Sequence, residues 1–468
     1  MGVARSLAEK AAAMQYADLP LEAVHWSRVA VLDTVGVALA GALEGAPRIV
    51  ADVLGAGAEQ GEGPCAVWGT RLRTSALDAA LINGTAAHAL DFDNTSNTLA
   101  GHMTACMIPA LIAAAEAHGG TGRDVLLAHA AGFEVGARLG HGLNFHHHQK
   151  GWHPTSTLGV FAVAAACARL LGLTVEQTET ALALSTSLAA GTKANFGTMT
   201  KPFHAGQCAR NGLMAALLAR KGFTANAEAF EHKQGFFNLY NGAGNYSIER
   251  ILESWGAPLD VVAPGACYKQ YPSCAGTHQV IDATLPLTRE HGLFDPASIA
   301  KVETWTSKHR LPHTDRADPR TPLEAKFSVQ YCVTRALLDG KIVFEQFEGD
   351  APMDACVRGV LPRVQSATYA EDEFPGNPNG AIVKVTLNDG RVLTSRIERA
   401  LGRTSANPIP FDQLQAKFEN CASRVLTPQA AAEVCRRIDT FEDVTSMREF
   451  TAMLVPAVAT QQLQRRSA

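Results

Sequence analysis

One stretch of sequence decides the class of the fold: Thr157-Leu-Gly-Val-Phe-Ala-Val-Ala-Ala-Ala-Cys-Ala-Arg-Leu-Leu171. It is followed by Gly172 and by Thr174-Val-Glu-Gln177. Its apolar residues recur at a spacing of three and four, the periodicity of a buried helix. Gly172 suits the left-handed position that ends a helix, and Thr174 with Gln177 has the form of a capping box. The segment therefore predicts two successive helices joined by a tight connection.

The same pattern covers most of the first half of the chain, at residues 24–40, 75–90, 107–117 and 124–139. Near Pro264 it changes, because residues 299–306 and 381–387 alternate like strands and Asn388-Asp-Gly390 predicts a hairpin turn. Helices are expected again at 328–338, at 352–358 and from Phe411 to a last helix at 441–455. We therefore predict a mainly α protein with an inserted α+β domain. Its parts are a large all-helical domain at 1–264, the smaller α+β domain at 265–400, and a C-terminal helical return at 401–468 that packs on the first domain.

The composition excludes several classes of protein. A formal net charge of −4 over 468 residues, without a cluster of lysine or arginine, argues against a nucleic-acid partner. The longest apolar run, 158–168, stops at Arg169 and is shorter than the roughly 18–20 residues of a membrane span. The ten cysteines include no Cys-x-x-Cys pair, which favours reduced thiols and a cytoplasmic location. We expect neither a membrane nor a nucleic acid as partner.

The segment Gly191–Gly206 differs from the apolar helices around it. It contains Lys193, Lys201 and His204 among Gly, Thr and Asn residues, and it has no carboxylate. A loop of this kind inside a helical body needs partners for its backbone and its charges. We expect such a loop here, with its two ammonium groups directed at an anionic ligand.

Two further groups of polar residues follow or precede predicted helices. His88, Asp91, Asp93, Thr95 and His102 lie at the end of an apolar helix, where they could be catalytic or where the two aspartates could simply cap the helix. His153 directly precedes Pro154 and an Ala-rich helix, whose N-terminus favours a carboxylate. The neighbouring run His146-His-His148 is expected to be an exposed loop, since consecutive residues cannot all face one metal ion.

A third group, Lys269 to His278, leads into the second domain and contains Thr277. Cys274 as a nucleophile and Lys326 as an anion contact are weaker candidates. Together the groups supply acids, imidazoles and ammonium ions, but no metal-ligand set, nucleotide loop or nucleophile elbow. This inventory suits the abstraction of a proton next to a carboxylate.

Six motifs resemble, in order, those of the MmgE/PrpD family, which includes 2-methylcitrate dehydratase, cis-aconitate decarboxylase and iminodisuccinate epimerase. They are His88-Ala-Leu-Asp-Phe-Asp-Asn-Thr95, Gly101-His102, Trp152-His-Pro-Thr155, Gly197-Thr-Met-Thr-Lys-Pro-Phe-His-Ala-Gly206, Tyr271-Pro-Ser-Cys-Ala-Gly-Thr-His278 and Ala325-Lys-Phe-Ser328. The resemblance implies a helical domain with a smaller α+β lid domain, usually in a homodimer. It also implies small di- or tricarboxylate substrates and no required metal or organic cofactor.

The resemblance and the three groups together define the expected site. Its catalytic residues are Asp91, His102, His153, Lys201 and His278, and its substrate-binding residues are Thr95, Lys269 and Thr277. His102 and His153 are expected to move the proton while Lys201 binds a carboxylate. Asn94, Met103 and Thr104 depart from the family pattern, so the resemblance leaves the identity of the substrate open.

Three functions are compatible with this site. The first is a cofactor-independent lyase, either a dehydratase or a decarboxylase, that abstracts a proton alpha to a carboxylate. The second is an epimerase of a dicarboxylate such as iminodisuccinate, in which the proton returns to the opposite face. The third is a non-catalytic homologue, which the retained acids, imidazoles and lysine argue against.

Overall fold

The structure, a computed structural model of the chain, describes residues 2–55, 63–377 and 379–456. The chain divides into two compact units. The first unit consists of Met1–Tyr268, Thr404–Ala406 and Pro410–Ala468, and the second consists of Lys269–Arg403 and Asn407–Ile409. The expectation of a mainly helical protein with a smaller α+β part is confirmed.

The first unit is built from helices. Before the chain enters the second unit they are α1 (Val3–Ala13), α2 (Leu21–Gly41), α3 (Gly45–Val53), α4 (Ala76–Ala89), α5 (Met103–His118), α6 (Gly122–Leu143), α7 (His146–Gln149), α8 (Pro154–Thr157), α9 (Gly159–Leu170), α10 (Val175–Ser185), α11 (Thr200–Arg220), α12 (Phe236–Tyr240) and α13 (Ile248–Leu252). Two short antiparallel pairs join loops of this unit: β1 (Cys65–Ala66) with β2 (Arg73–Thr74), and β3 (Thr95–Ser96) with β4 (Ala266–Cys267).

Local sequence signals set several of these helix ends. The capping boxes at Thr121 and Thr174 are present at the starts of α6 and α10, and Gly172 has a φ of +63° just after α9, so these predictions are confirmed. Helix α2 is long and apolar enough to cross a membrane, but 83% of that stretch is buried inside the protein. Its apolar surface is therefore covered by neighbouring helices, as in the core of a helical domain.

The second unit contains a four-stranded sheet in the order β6-β5-β7-β8. The strands are β5 (Ile299–Thr306), β6 (Val364–Thr368), β7 (Ala381–Leu387) and β8 (Val392–Ile397), and the helices are α14 (His278–His291), α15 (Leu311–Thr314), α16 (Pro322–Lys326), α17 (Val329–Asp339) and α18 (Ala355–Val360). Strand β5 is parallel to β6, whereas its pairing with β7 and that of β7 with β8 are antiparallel. Val302 and Val383 pack with Val280 of α14 and Val333 of α17 to form its core. The predicted strands β5 and β7 and the hairpin after β7 are confirmed.

The chain returns to the first unit through α19 (Phe411–Ala422), α20 (Pro428–Asp439) and α21 (Met447–Ala452). The expected last helix at 441–455 is wrong, because Ser446 caps a separate, shorter helix by accepting a hydrogen bond from the N–H of Glu449. The expected helix at 352–358 is displaced for the same reason, since Asp354 caps α18. Polar residues inside an apolar periodicity thus acted as new helix starts.

Two other expectations about the first unit need correction. The segment 191–206 is not a loop throughout, because α11 already begins at Thr200; Pro202 is tolerated in its first turn, where the N–H has no helical partner. Nor is the segment enclosed, since 194–199 are exposed. The triple histidine is not an exposed loop either: His147 is buried and hydrogen bonds through its two ring nitrogens to Asn241 and Thr157.

Candidate active site

The first unit brings Asp91 and Lys201 together at a close crossing of two helices. A Cβ on Gly206 would lie 2.2 Å from the carbonyl oxygen of Leu81, and one on Gly84 would lie 2.9 Å from Cα of Gly206. Because neither glycine has a side chain, α4 and α11 approach backbone to backbone. Asp91 comes just after α4 and Lys201 lies in the first turn of α11, and their Oδ1 and Nζ atoms are 2.9 Å apart.

The loop that follows α4 is held in an unusual backbone conformation. Asp91 has a φ of +51° and Ala100 has a φ of +57°. Residues other than glycine rarely adopt this region, and such conformations concentrate at functional sites. The two strained residues bound the short segment that carries Asp93 and leads to His102.

Asp93 is the centre of the hydrogen-bond network. Its side chain is fully buried, and its carboxylate lies 2.8 Å from Nδ1 of His102 and 3.0 Å from Nδ1 of His88. Burial raises the pKa of Asp93, but the imidazoles of His102 and His88 outweigh burial and hold that pKa well below its usual range. Asp93 is therefore an ionised acceptor shared by two rings.

This arrangement fixes the proton positions on both imidazoles. Since an ionised carboxylate only accepts hydrogen bonds, His88 and His102 each carry a proton on Nδ1. Burial lowers the pKa of His88 to about 4, so His88 is neutral near pH 7. The second nitrogen of His102, Nε2, lies 3.7 Å from Oδ1 of Asp91. It is the nitrogen available for chemistry.

A second glycine contact fixes the position of His102. A Cβ on Gly101 would lie 2.6 Å from the backbone nitrogen of Thr155, so only glycine allows the chain to pass this close to α8. The hydroxyl of Thr155 also accepts a hydrogen bond from the backbone N–H of His102, at 3.0 Å. His102 is thereby held against the helical turn that follows His153.

His153 lies next to this network, with its ring centroid 5.9 Å from that of His88. Burial is the main cause that lowers the pKa of His153 far below its usual value, and the nearby basic groups, first His88 and then Lys201, add to it. Its Nδ1 lies 3.1 Å from Nδ1 of His204, whose pKa burial also lowers. The neutral form of His153 is therefore favoured, and its expected part in proton transfer stays a prediction.

The remaining expected residues are described within the unit to which each belongs. Thr95 is half-buried in β3, and its backbone pairs with Cys267. Lys269, Thr277 and His278 are buried in the second unit. There the hydroxyl of Thr277 bonds to Ser273 and Cys274, and Nε2 of His278 lies 3.3 Å from the carbonyl oxygen of Ser273. The substrate-binding roles of Thr95, Lys269 and Thr277 and the catalytic role of His278 stay predictions.

Sequence reasoning missed the structural importance of His88 and Asp93. Both belong to a quoted motif, but Asp93 was interpreted as a possible helix cap and His88 received no role. One signal was available: His88 lies near the end of an Ala-rich helix, and a buried imidazole needs a partner. His204, which sequence analysis gave no catalytic role, is the partner of His153.

Within the described residues, one group of side chains has the composition of a metal site. The donor atoms of His88, Asp91, Asp93 and His102 lie within 4.8 Å of one another. However, Asp93 already accepts both Nδ1 protons, and the ammonium of Lys201 lies against Asp91. The His102 ring also separates the two carboxylates, since each faces a different ring nitrogen. The arrangement fits a proton network better than an ion, and a metal-free reaction stays a prediction.

Comparisons with known proteins agree with the resemblance seen in the sequence. The MmgE/PrpD N-terminal domain matches residues 5–249, and the MmgE/PrpD C-terminal domain matches residues 271–440. The chain is 32% identical to the cis-aconitate decarboxylase of Homo sapiens, over 83% of this chain and 81% of the human protein. It is 31% identical to that of Mus musculus, over 83% and 80% of the two chains. A cis-aconitate decarboxylase of Aspergillus terreus is 26% identical over 96% of this chain and 95% of its own.

Proposed function

Because this chain belongs to the MmgE/PrpD family, we propose that it is a carboxy-lyase that removes CO2 from cis-aconitate or a closely related small tricarboxylate. The relatives named as cis-aconitate decarboxylases support the reaction class. One structural observation carries the proposal: His102 is bound through Nδ1 to the buried Asp93, and its other nitrogen faces the partly exposed Asp91–Lys201 pair. The site thus places an oriented imidazole beside a cation.

The chemistry of cis-aconitate defines what the protein must supply. The bond between the methylene carbon and its carboxyl group breaks and releases CO2. The electron pair of that bond forms a new C=C with the central carbon, while the former π pair moves to the carbon that bears the second carboxylate. That carbon then takes one proton, and the product is 2-methylenesuccinate. Here a proton is delivered, whereas abstraction is needed only for dehydration or epimerisation.

The residues divide these tasks in our proposal. Lys201 binds a substrate carboxylate, in competition with Asp91, and offsets the charge that develops on the neighbouring carbon. His102, protonated on both nitrogens, delivers the proton from Nε2 and regains it from water. The neutral His153 donates a hydrogen bond to a second carboxylate. Thr95, Lys269 and Thr277 stay proposed binding residues, and His278 stays a proposed catalytic residue. A cytoplasmic homodimer without a cofactor completes the proposal.

A panel of substrates tests the reaction class. The purified protein is incubated with cis-aconitate, citrate, 2-methylcitrate and iminodisuccinate after dialysis against a chelator, and products are followed by NMR. We expect CO2 and 2-methylenesuccinate from cis-aconitate only. Water loss from citrate or 2-methylcitrate would replace the proposal with a dehydratase, and inversion of iminodisuccinate would replace it with an epimerase. Activity that needs added zinc would contradict the metal-free mechanism.

A pair of lysine variants tests the anion contact. Lys201→Ala should lower kcat/KM by about 10²-fold or more, since it removes a charge-assisted contact to the substrate. Lys193→Ala is the matched control: Lys193 lies in the same segment but bonds to the carbonyl of His148, at 3.2 Å. We expect kcat/KM within about threefold of wild type for the control. Equal losses in both variants would remove the specific role of Lys201.

A further inference from the structure

A buried lysine of the C-terminal return reaches the loop that carries Asp93. Nζ of Lys417, in α19, lies 2.5 Å from Oδ1 of Asp33 and 2.8 Å from the carbonyl oxygen of Phe92. The same ammonium lies over the Phe92 ring, 3.9 Å from its centroid. Phe92 directly precedes Asp93, so this lysine contacts one side of the network's central residue.

Asp33, the ion-pair partner of Lys417, contacts the residue on the other side of Asp93. Oδ2 of Asp33 accepts two hydrogen bonds from Asn94, one from the backbone N–H and one from the side-chain amide, both at 3.0 Å. Asn94 directly follows Asp93. The Asp33–Lys417 ion pair therefore binds the residues on both sides of Asp93, while making no contact with the imidazoles itself among the described interactions.

The ion pair is enclosed. The side chains of Lys417 and Asp33 are 5% and 1% exposed, and the space between α2 and α19 leaves no void large enough for water. A Cβ on Gly36, one turn after Asp33, would lie 2.8 Å from the Phe418 ring, which shows how closely the helices pack. Water cannot replace either charge here, so the geometry of the loop depends on the pair itself.

We propose that Asp33 and Lys417 are positioning residues of the active site, through which the C-terminal return fixes Asp93 and hence the ring of His102. The two residues are 384 positions apart in the chain. Their role in turnover rests on the proposed function, whereas their effect on the His102 ring does not. The pair acts through Asp93 and touches neither substrate nor the reacting atoms.

The test uses the full-length double variant Asp33→Asn/Lys417→Met, which removes both charges and leaves no buried ion unpaired. The amide introduced by Asp33→Asn can still accept a hydrogen bond from Asn94, but the contact to the Phe92 carbonyl is lost. The matched control is Arg73→Met/Glu116→Gln. It removes a pair whose N–O distance is 2.6 Å and whose glutamate is 1% exposed, at the far end of the helix that follows His102, about 20 Å away.

Two measurements are made on each protein. The first is the pH profile of kcat and KM with cis-aconitate; the second is the downfield ring N–H signals in NMR of protein labelled with 15N-histidine, assigned with His102→Gln. For the double variant we expect kcat lowered about 30-fold or more with KM within threefold, a shifted alkaline limb of the kcat profile, and a moved or exchange-broadened His102 Nδ1–H signal. The control should keep the wild-type kcat, pH profile and His102 signal, even if its Tm falls as much as that of the double variant.

Each outcome decides one question. An unchanged His102 ring signal in the double variant, or an equal change in the control, would overturn the positioning role. If wild-type protein does not decarboxylate cis-aconitate, the proposed function fails, and the ring signal alone decides the inference. If the double variant does not fold, Asn94→Ala is measured in the same way, because it removes only the hydrogen bond from its side-chain amide to Asp33.

Discussion

Replacement of Asp93 by asparagine should separate the orientation of His102 from every other feature of the site. The two side chains have the same shape, so packing is kept, but an amide can accept a hydrogen bond from only one of the two Nδ1–H groups. The other imidazole then meets an N–H₂ donor and must move its proton to Nε2. A neutral ring with its proton on Nε2 is a far weaker acid than an imidazolium.

The expected magnitudes follow from the contacts of Asp93. Two charge-assisted hydrogen bonds, at 2.8 and 3.0 Å, are replaced by one neutral hydrogen bond and one mismatch, which should cost about 2–4 kcal/mol of stability at pH 7. Loss of a correctly oriented acid should lower kcat by about 10²–10⁴-fold, with a smaller effect on KM. In wild type this stability is present above the unfolded aspartate pKa near 3.9 and is lost as pH falls below it, because folding depresses the pKa of Asp93.

The assay compares Asp93→Asn with Asp282→Asn under conditions in which both are folded. Asp282 is a half-buried aspartate of the second unit that accepts hydrogen bonds from Tyr271 and from the backbone of Leu401. The control thus makes the same chemical change and should keep kcat within about threefold. A kcat within tenfold of wild type for Asp93→Asn, or a similar loss in the control, would refute the role assigned to Asp93.

Two further predictions concern close packing and acid stability. Gly101→Ala should lower kcat at least tenfold and lower the free energy of unfolding by about 1–3 kcal/mol, because its Cβ would lie 2.6 Å from the Thr155 nitrogen. The control Gly359→Ala, with nothing within 4 Å of its Cβ, should change neither quantity. Equal activities of the two variants would contradict this prediction. Burial lowers the pKa of His129 to about 3, so between pH 6.5 and 3 only the unfolded state binds this proton and stability rises with pH. His129→Gln should therefore lose about 1.2 kcal/mol less than wild type in urea unfolding on going from pH 6 to pH 5, and an equal loss in both proteins would argue against a buried neutral ring.

Local signals predicted much of the fold. The capping boxes at Thr121 and Thr174 lie within four residues of the helices they begin, and β7 alternates clearly because one of its faces is buried. Strand β6 was missed because its sequence, Val-Gln-Ser-Ala-Thr, is short and polar and its place in the sheet depends on β5, far away in the chain. The helix at Met447 was misplaced because a serine inside an apolar pattern can either continue or start a helix.

The candidate site was predicted only in part for a similar reason. Asp91 and Lys201 were found as chemical types in motifs, and the structure places them 2.9 Å apart. Asp93, in contrast, gains its importance from burial and from two imidazoles, which sequence alone does not reveal. Lys417 lies outside the recognised motifs, and no local pattern connects it to Asp33 or to the loop at Phe92.

The most direct test of the central claim, that His102 delivers a proton after CO2 leaves, is the position of deuterium in the product formed in D2O. The wild-type protein should convert cis-aconitate to 2-methylenesuccinate with one deuterium on the methylene carbon next to a carboxylate and none on the =CH2 carbon. His102→Gln should lower the rate of this labelling about 10²-fold or more. Deuterium in recovered substrate without CO2 release, deuterium on the =CH2 carbon, or an unchanged rate in His102→Gln would contradict the proposed mechanism.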